Sequence, residues 1–219
     1  IMYSVHRLAW LSVGLLLAVG PAVAGDCPSD EHPLQLVIEG GGEINSTIPA
    51  GSLGTADVHV VMRSNLVNGV QGWSLSLATE GDLLLTGATT AGTSAADVSQ
   101  GGVRNGGFEV TELVDPSLND QGQGAVSAVV LSFTMPVTLE PVGSVRILTL
   151  NVAANALQPD GEDALIEGNL LWRDDMQGAG QPVQNVATVR GATQDFGCCE
   201  NAHISFRTRA APEASDFIR

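Results

Sequence analysis

The segment DPSLNDQGQG is the richest cluster of oxygen ligands in the chain, because Asp115, Asn119 and Asp120 lie within one short loop. Calcium takes about six to eight oxygen ligands from carboxylates, amides and backbone carbonyls. The spacing is not that of an EF-hand loop, since the expected glycine and closing glutamate are absent. The segment therefore predicts an ordinary Asp-Pro turn, with a calcium site as the alternative.

A second candidate binding segment places an aromatic ring beside charged groups, at Trp172, Arg173, Asp174 and Asp175. An aromatic face can stack on a sugar ring while the neighbouring polar groups bind its hydroxyls. Trp73 is a weaker candidate for stacking, because the alternating pattern around it places its side chain in the core. The alternative for the acidic pair is a solvated loop.

No motif of enzyme chemistry is present: the chain has neither a Gly-x-Ser-x-Gly elbow nor a His-Glu-x-x-His helix. It also has no lysine, so P-loop, pyridoxal and Ser-Lys chemistry are excluded. A triad or a carboxylate pair assembled in space, as in a hydrolase, is the alternative. We predict a non-catalytic protein without a cofactor.

The net charge of −15 would repel phosphate backbones and argues against nucleic-acid binding. Surface solvation explains most of this acidity, and calcium or a cationic partner is the alternative.

The start of the chain is typical of a secretory signal peptide. Basic His6 and Arg7 precede an apolar run over 8–19 and an Ala-x-Ala cleavage site before Gly25. The run is too short for a helix of roughly 20 residues that would span a membrane. We therefore expect a leader over 1–24 and an extracellular, non-membrane-spanning mature chain.

Export implies an oxidising compartment, where a disulfide could persist. The candidates are Cys27, Cys198 and Cys199, of which Cys27 could pair with either member of the adjacent pair, or the pair could bridge to itself.

Three stretches alternate apolar and small or polar residues with period two: 72–78, 128–135 and 146–153. This period is typical of half-buried strands in an antiparallel sheet. One face of each stretch should pack inward, and it gives the predicted core residues Trp73, Leu75, Leu77, Leu131, Phe133, Leu148 and Leu150.

Seven further strands are predicted over 34–39, 57–64, 82–87, 108–114, 164–172, 183–190 and 202–208, separated by Gly and Asn turns. About nine to ten strands without crossover helices predict an all-β fold, a two-layer antiparallel β-sandwich of jelly-roll or immunoglobulin type. We expect one sandwich domain over 25–208 and a linker or disordered tail over 209–219.

Four motifs together resemble cohesin-like sandwich domains of bacterial secreted and cell-surface proteins. They are NGVQGWS from Asn68, GAVSAVVLSFTMP from Gly124, GSVRILTLNVA from Gly143 and GAGQPVQNVAT from Gly178. The resemblance spans roughly 34–208, and it implies a jelly-roll-like sandwich with a flat sheet face that recognises a protein, usually without catalysis.

The same resemblance implies a dockerin-like or cell-surface protein partner. Carbohydrate-binding modules of polysaccharide-degrading systems have related folds, so a polysaccharide is the alternative ligand. The closing residues Asp216–Arg219 resemble the lead-in to a dockerin calcium repeat, although no calcium loop follows them in this sequence. The chain could accordingly be the N-terminal part of a dockerin-containing protein.

Overall fold

The computed structural model describes residues 32–39, 43–49, 53–96, 107–114, 123–133, 138–139, 142–154, 165–178 and 181–209. These ranges contain fifteen strands: β1 (Leu34–Ile38), β2 (Glu43–Pro49), β3 (Thr55–Ser64), β4 (Gly72–Gly81), β5 (Leu83–Thr89), β6 (Phe108–Val114), β7 (Gly124–Val130), β8 (Gly143–Ala154), β9 (Leu165–Trp172), β10 (Met176–Gly178), β11 (Gln181–Val183), β12 (Val186–Val189), β13 (Ala192–Asp195), β14 (Cys198–Cys199) and β15 (Ala202–Arg209).

The strands form two sheets and one small hairpin. The smaller sheet has the order β14-β1-β3-β8-β5. The larger sheet follows β13-β12-β4-β9-β15-β2, and β7 and β6 extend it from the other edge of β4. Strands β10 and β11 pair with each other as a separate two-stranded sheet.

Nearly all pairings are antiparallel, as predicted, but two are parallel. Strand β14 runs parallel to β1, and β15 runs parallel to β2. Neither short β14 nor polar β2 (EINSTIP) has the apolar alternation that predicts a strand. Each is placed in its sheet by pairing with a neighbouring strand, β14 with β1 and β2 with β15.

Strand β4 lies at the centre of the larger sheet and uses three partners. One edge pairs with β7 along Gly72–Ala78. The other edge pairs with β12 from Gly72 to Ser74 and with β9 from Leu77 to Gly81. Strands β9 and β12 therefore pair with successive parts of the same edge of β4. The segment 173–185 lies between these two strands in the chain.

The core lies between the two sheets and is filled mainly by aliphatic residues. Of the residues predicted for it, Trp73, Leu75, Leu77, Leu131, Leu148 and Leu150 are each at most 3% exposed. The large side chain of Phe206 is also fully buried there. The two-layer sandwich predicted from the sequence is thus confirmed.

Phe133 contradicts the predicted core, because its side chain is 70% exposed. The prediction extended one strand to Met135, whereas β7 ends at Val130. Leu131 still donates its backbone N–H to Gln71 O at 3.0 Å, but β4 begins at Gly72 and offers no further partner. Once the chain leaves the ladder, the period-two alternation no longer fixes which way a side chain points.

Among the described residues, no helix is long and apolar enough to cross a bilayer.

Candidate interaction surface

The outer face of the larger sheet can be read from its register, because directly opposed residues of an antiparallel pair point to the same side. Trp73, Leu75 and Leu77 point into the core. The alternate residues of β4 therefore point outward, and β6 and β7 place their own residues opposite them. These outward positions of β4 are Gly72, Ser74, Ser76 and Ala78.

One end of this outer face is apolar and accessible. Phe108 lies opposite Val130, and Val110 lies opposite Ala128, in the pairing of β6 with β7. Phe108 is 45% exposed, and the other three side chains are partly exposed. We call these four residues the outer patch. Exposed, contiguous apolar surface rimmed by polar groups is typical of interaction sites.

Acidic residues lie on the same face as the outer patch. Glu112 is exposed on β6 and lies opposite Val126, one outward position further along the strand. Asp195 is exposed on β13 further across the same face, where β12 and β4 separate it from the patch: it lies opposite Val186, which lies opposite Ser74, which lies opposite Ala128. The face around the patch therefore carries negative charge, in line with the acidity of the chain.

The other end of the outer face is covered by the β10–β11 hairpin. Met176 and Val183 of the hairpin form a buried cluster with Ala78, Val114 and Val126 of the sheet. We call this set the covered cluster. Met176 is fully buried and Val183 is 6% exposed.

The hairpin fits closely because two glycines leave space for it. A Cβ on Gly124 would lie 2.3 Å from Met176 Cε, and one on Gly178 would lie 2.4 Å from Val126 Cγ2. Because Gly124 has no side chain, Met176 can pack directly on the sheet. Because Gly178 has none, the hairpin can pack against Val126.

Ser76 of β4 forms hydrogen bonds with both ends of the segment 173–185, the insertion that carries the hairpin. Its backbone N–H donates to Asn185 Oδ1 at 2.8 Å, and its carbonyl accepts from Arg173 N at 3.2 Å. Its hydroxyl donates to the carbonyls of Arg173 and Val183. Between the end of β9 and the start of β12, the side-chain amide of Asn185 therefore takes the place of a backbone partner for β4.

The outer face of the smaller sheet has a different chemistry. His59 Nδ1 lies 3.1 Å from Thr149 Oγ1, and Asn151 Nδ2 donates to Asp57 Oδ1 at 2.6 Å. These polar side chains satisfy one another across β3 and β8, so the face offers little apolar surface.

An ion pair lies on the same sheet. Arg146 donates to both carboxylate oxygens of Glu39, at 2.6 and 2.8 Å. This hydrogen bonding, with the attraction of the guanidinium charge, lowers the pKa of Glu39 and raises that of Arg146. Both groups are exposed, so the pair is screened by solvent and salt.

A cleft of about 470 Å³ lies at the fork between β9 and β12. It includes Trp172 and Asp174 of the predicted binding segment, together with Gln184, Asn185, Val186, Asp195, Phe196, Cys199 and Asn201. Arg173 and Asp175 are exposed but do not line it. The structure therefore brings part of the predicted segment together with polar residues from distant positions.

Trp172 is less available than the sequence suggested. Its side chain is half-buried against the core, and its indole N–H donates to Glu200 O at 2.7 Å. Asp174 is exposed and its Oδ1 accepts from Asn185 N and Nδ2, at 2.8 and 2.9 Å. Both residues thus support the root of the insertion as well as lining the cleft.

Cys199, on the same cleft, is a free cysteine, and burial together with the nearby charge of Asp174 raises its pKa to about 12. A thiol with this pKa is protonated and unreactive at neutral pH. The pairings that would use Cys199 are therefore not those of this structure. Cys27 lies outside the described residues, so its pairing with Cys198 stays a prediction.

The calcium prediction is not tested, because Asp115, Asn119 and Asp120 all lie outside the described residues. In the part of the chain that is described, no group of three or more His, Cys, Asp or Glu side chains could hold a metal ion.

The sequence did not identify the outer patch. Strand β6 was predicted over its full length, and the alternation of Phe108 and Val110 was a usable signal. That alternation shows two faces of a strand but does not show which face meets the core. Only the register with β7 places both residues outside.

Comparison with known proteins supports the fold of the chain but does not by itself show a function. No family model matches the sequence, and no curated protein matches it significantly. Among solved structures, the chain is similar to a type I cohesin–dockerin complex from Clostridium thermocellum (Coh-OlpC–Doc435), with a TM-score of 0.51 and 10% identity. That match covers 82% of this chain and 96% of the other.

Weaker similarities are to the solution structure of CaCohA2 from Clostridium acetobutylicum, with a TM-score of 0.48, and to a non-cellulosomal cohesin from Archaeoglobus fulgidus, with a TM-score of 0.42. The identities are 12% and 10%. The matches cover 83% and 85% of this chain and 94% and 98% of the others. The match with a TM-score of 0.51 shows that the chain has a cohesin-like fold, as the sequence motifs suggested.

Proposed function

We propose that this chain is a secreted, non-catalytic recognition module that binds a protein partner of dockerin type through the outer face of its larger sheet. The observation that carries the proposal is the outer patch. Phe108, Val110, Ala128 and Val130 present apolar side chains to solvent on a sheet surface. Contiguous apolar surface of this kind is typical of sites where proteins bind each other.

The chemistry of the patch suits a protein partner. Protein interfaces commonly have an apolar centre with a polar rim. Here acidic Glu112 lies beside the patch, and acidic Asp195 lies further across the same face. We therefore expect a partner surface with apolar residues at its centre and arginine or lysine at its edge, and association that slows as salt increases.

The cohesin-like fold adds a specific candidate, since one of the structures with a similar fold is a cohesin–dockerin complex. A panel of purified dockerin modules titrated into this protein by isothermal calorimetry tests the proposal. We expect saturable 1:1 binding of at least one module.

The site is tested by charge substitution. Val110→Asp should abolish that binding, because it buries an unpaired carboxylate in the interface. Thr149→Asp on the smaller sheet is the matched control and should bind normally. Equal loss in both variants, with both folded, would remove the assignment to the larger sheet.

The remaining features of the module are also proposals. We propose a leader over 1–24, a sandwich over 25–208, a linker or tail over 209–219, and an extracellular or cell-surface location. A Cys27–Cys198 bridge would tie the two ends of the domain. Thiol titration of the exported, denatured protein should then find one reactive thiol before reduction and three after it.

A carbohydrate-binding module is the second candidate, and the cleft at the fork is the observation that favours it. Trp172 and Phe196 supply aromatic surface there, and the amides of Gln184, Asn185 and Asn201 supply hydrogen-bonding groups. A glycan array distinguishes the two functions. Binding that Asn201→Ala abolishes and Val110→Asp leaves unchanged would favour the cleft.

A hydrolase is the least supported alternative. The cleft has two carboxylates, Asp174 and Asp195, but both are exposed and the described lining residues include no histidine. A general acid that works near neutral pH needs a site that raises its pKa, usually by burial.

A further inference from the structure

The outer patch and the covered cluster belong to one apolar strip. On β7, the outward residues Val126, Ala128 and Val130 follow each other at alternate positions. Val126 lies under the hairpin, and the other two are partly exposed. The hairpin therefore hides one end of the same surface whose other end is open.

The hairpin is not part of either large sheet, although the Ser76 hydroxyl joins it to β4 by donating to Val183 O. Among the described residues, β10 and β11 pair in register only with each other, over three residues each. Met176 and Val183 belong to the covered cluster, which is separate from the large core between the sheets. The bonds that join Asp174 to Asn185 and Gln184 to Asp175, at the root of the insertion, are exposed. Small units of this kind open at lower free energy than the core does.

We propose that the β10–β11 hairpin is a strap that competes with the partner for the outer face, so that opening of the strap controls docking. This rests on the proposed function. With the strap closed, a partner reaches Phe108, Val110, Ala128 and Val130. With it open, the accessible strip also includes Ala78, Val114 and Val126. A partner that contacts the whole strip binds the open state more tightly and shifts the population towards it.

Residues 126 and 178 allow the strap to be locked. An ideal Cβ on Gly178 would lie 3.1 Å from Val126 Cβ, and a disulfide needs roughly 3.5–4.5 Å, so a small shift would accommodate the bond. The double variant Val126→Cys/Gly178→Cys, oxidised, holds the strap closed. The same protein after mild reduction is its control, with the single variant Val126→Cys treated identically.

A second variant loosens the strap. Gly178→Ala places a Cβ against the stiff, branched side chain of Val126 and leaves the sheet residues unchanged. The closed hairpin then fits poorly, and the open state gains population.

Opening is measured without a partner by hydrogen exchange. The reporters are the amide of Ser76, bonded to Asn185 Oδ1, and that of Arg173, bonded to Ser76 O. We expect both to exchange at least tenfold faster than the amides of β3 and β8, faster still in Gly178→Ala, and more slowly when the cross-link is formed. Binding of the dye ANS, which reports apolar surface, should change in the same direction.

Docking is then measured with a dockerin module that binds the unmodified protein. The oxidised cross-linked form should bind at least tenfold more weakly than its reduced form, and Gly178→Ala should bind several-fold more tightly than the unmodified protein.

Three results overturn the proposal in distinguishable ways. If the reporter amides exchange only as slowly as those of β8 and the cross-link has no effect on them, the strap does not open, whether or not a dockerin binds. If the strap opens but the cross-link leaves the affinity unchanged, the competition is wrong and the proposed function stands. If no module binds even Gly178→Ala, the proposed function fails and takes the control of docking with it.

Discussion

The outer faces of the two sheets have opposite chemistry although both sheets bury the same kind of inner face. On the smaller sheet, the outward side chains His59 and Thr149, and Asp57 and Asn151, bond to each other. On the larger sheet, the outward residues at the Phe108 end are apolar and partly exposed. Inner positions need only fill the space between the layers, whereas outer positions are free to differ.

The larger sheet also differs along its own length. At one end the outer face is covered by Met176 and Val183, and at the other it is open. An apolar outer surface can be covered by the chain itself or by a partner. On the larger sheet, the chain itself covers one end only.

The largest expected effect tests the inner and outer positions of one strand of the smaller sheet. Leu150 is fully buried, so Leu150→Ala should lower the free energy of unfolding by about 2–5 kcal/mol through lost burial and a cavity. Its neighbour Thr149 points outward, and Thr149→Ala should cost about 1 kcal/mol or less through the lost bond to His59. Urea unfolding of both variants measures the difference, and similar losses would contradict this assignment of faces.

A smaller loss of stability is expected in the covered cluster. Met176 is fully buried, but it belongs to the covered cluster, which is separate from the core between the sheets. A small unit of this kind opens at lower free energy than the core. Met176→Ala should therefore lower the free energy of unfolding by about 1–2 kcal/mol, below the range of about 2–5 kcal/mol for Met-to-Ala changes in a core. A loss as large as that of Leu150→Ala in the same urea experiment would show that the hairpin unfolds only with the whole domain.

The open end of the larger sheet should contribute to binding rather than stability. Phe108→Ala should weaken partner binding by about tenfold or more, as truncation of a central interface aromatic commonly does, and should change stability by less than about 0.5 kcal/mol. Phe133→Ala is the matched control, because Phe133 is also exposed but lies beyond the end of β7. Calorimetric titration distinguishes the two, and equal losses would extend the site past the sheet.

The smallest expected effect concerns the ion pair on the smaller sheet. Because Arg146 lowers the pKa of Glu39 in the folded protein, the pair stabilises the fold above the ordinary pKa of a glutamate. That contribution is lost as the pH falls through the lowered folded-state pKa. In Arg146→Ala, an NMR titration should show the pKa of Glu39 returning towards its ordinary value. An unchanged pKa would mean that the two side chains do not meet in solution.

Much of the fold was accessible from the sequence because period-two alternation is local. Strand β4 and most of β8 were predicted from it, and six of the seven residues chosen for the core are buried. The error at Phe133 arose where alternation continues beyond the last ladder bond. The omission of β2 arose because a polar edge strand needs no apolar face of its own.

Less of the candidate site was accessible. Of the predicted binding segment from Trp172 to Asp175, Trp172 and Asp174 line a cleft, but the Trp172 side chain is partly buried and its indole N–H donates to Glu200 O. The predicted strand over 183–190 is broken at Gln184 and Asn185, where Asn185 takes the place of a backbone partner for Ser76. A side chain that replaces a backbone hydrogen-bond partner leaves no periodic pattern in the sequence.

The sequence by itself determined that this chain is a β-sandwich without familiar catalytic motifs, because strand period and residue type are properties of neighbouring residues. Only the tertiary structure decided which outward residues become a surface. Phe108, Val130 and Gly72 lie far apart in the chain and meet through the register of three strands. Hydrogen-bond register acts between distant segments, so the outer patch and its strap exist only once the sheets have formed.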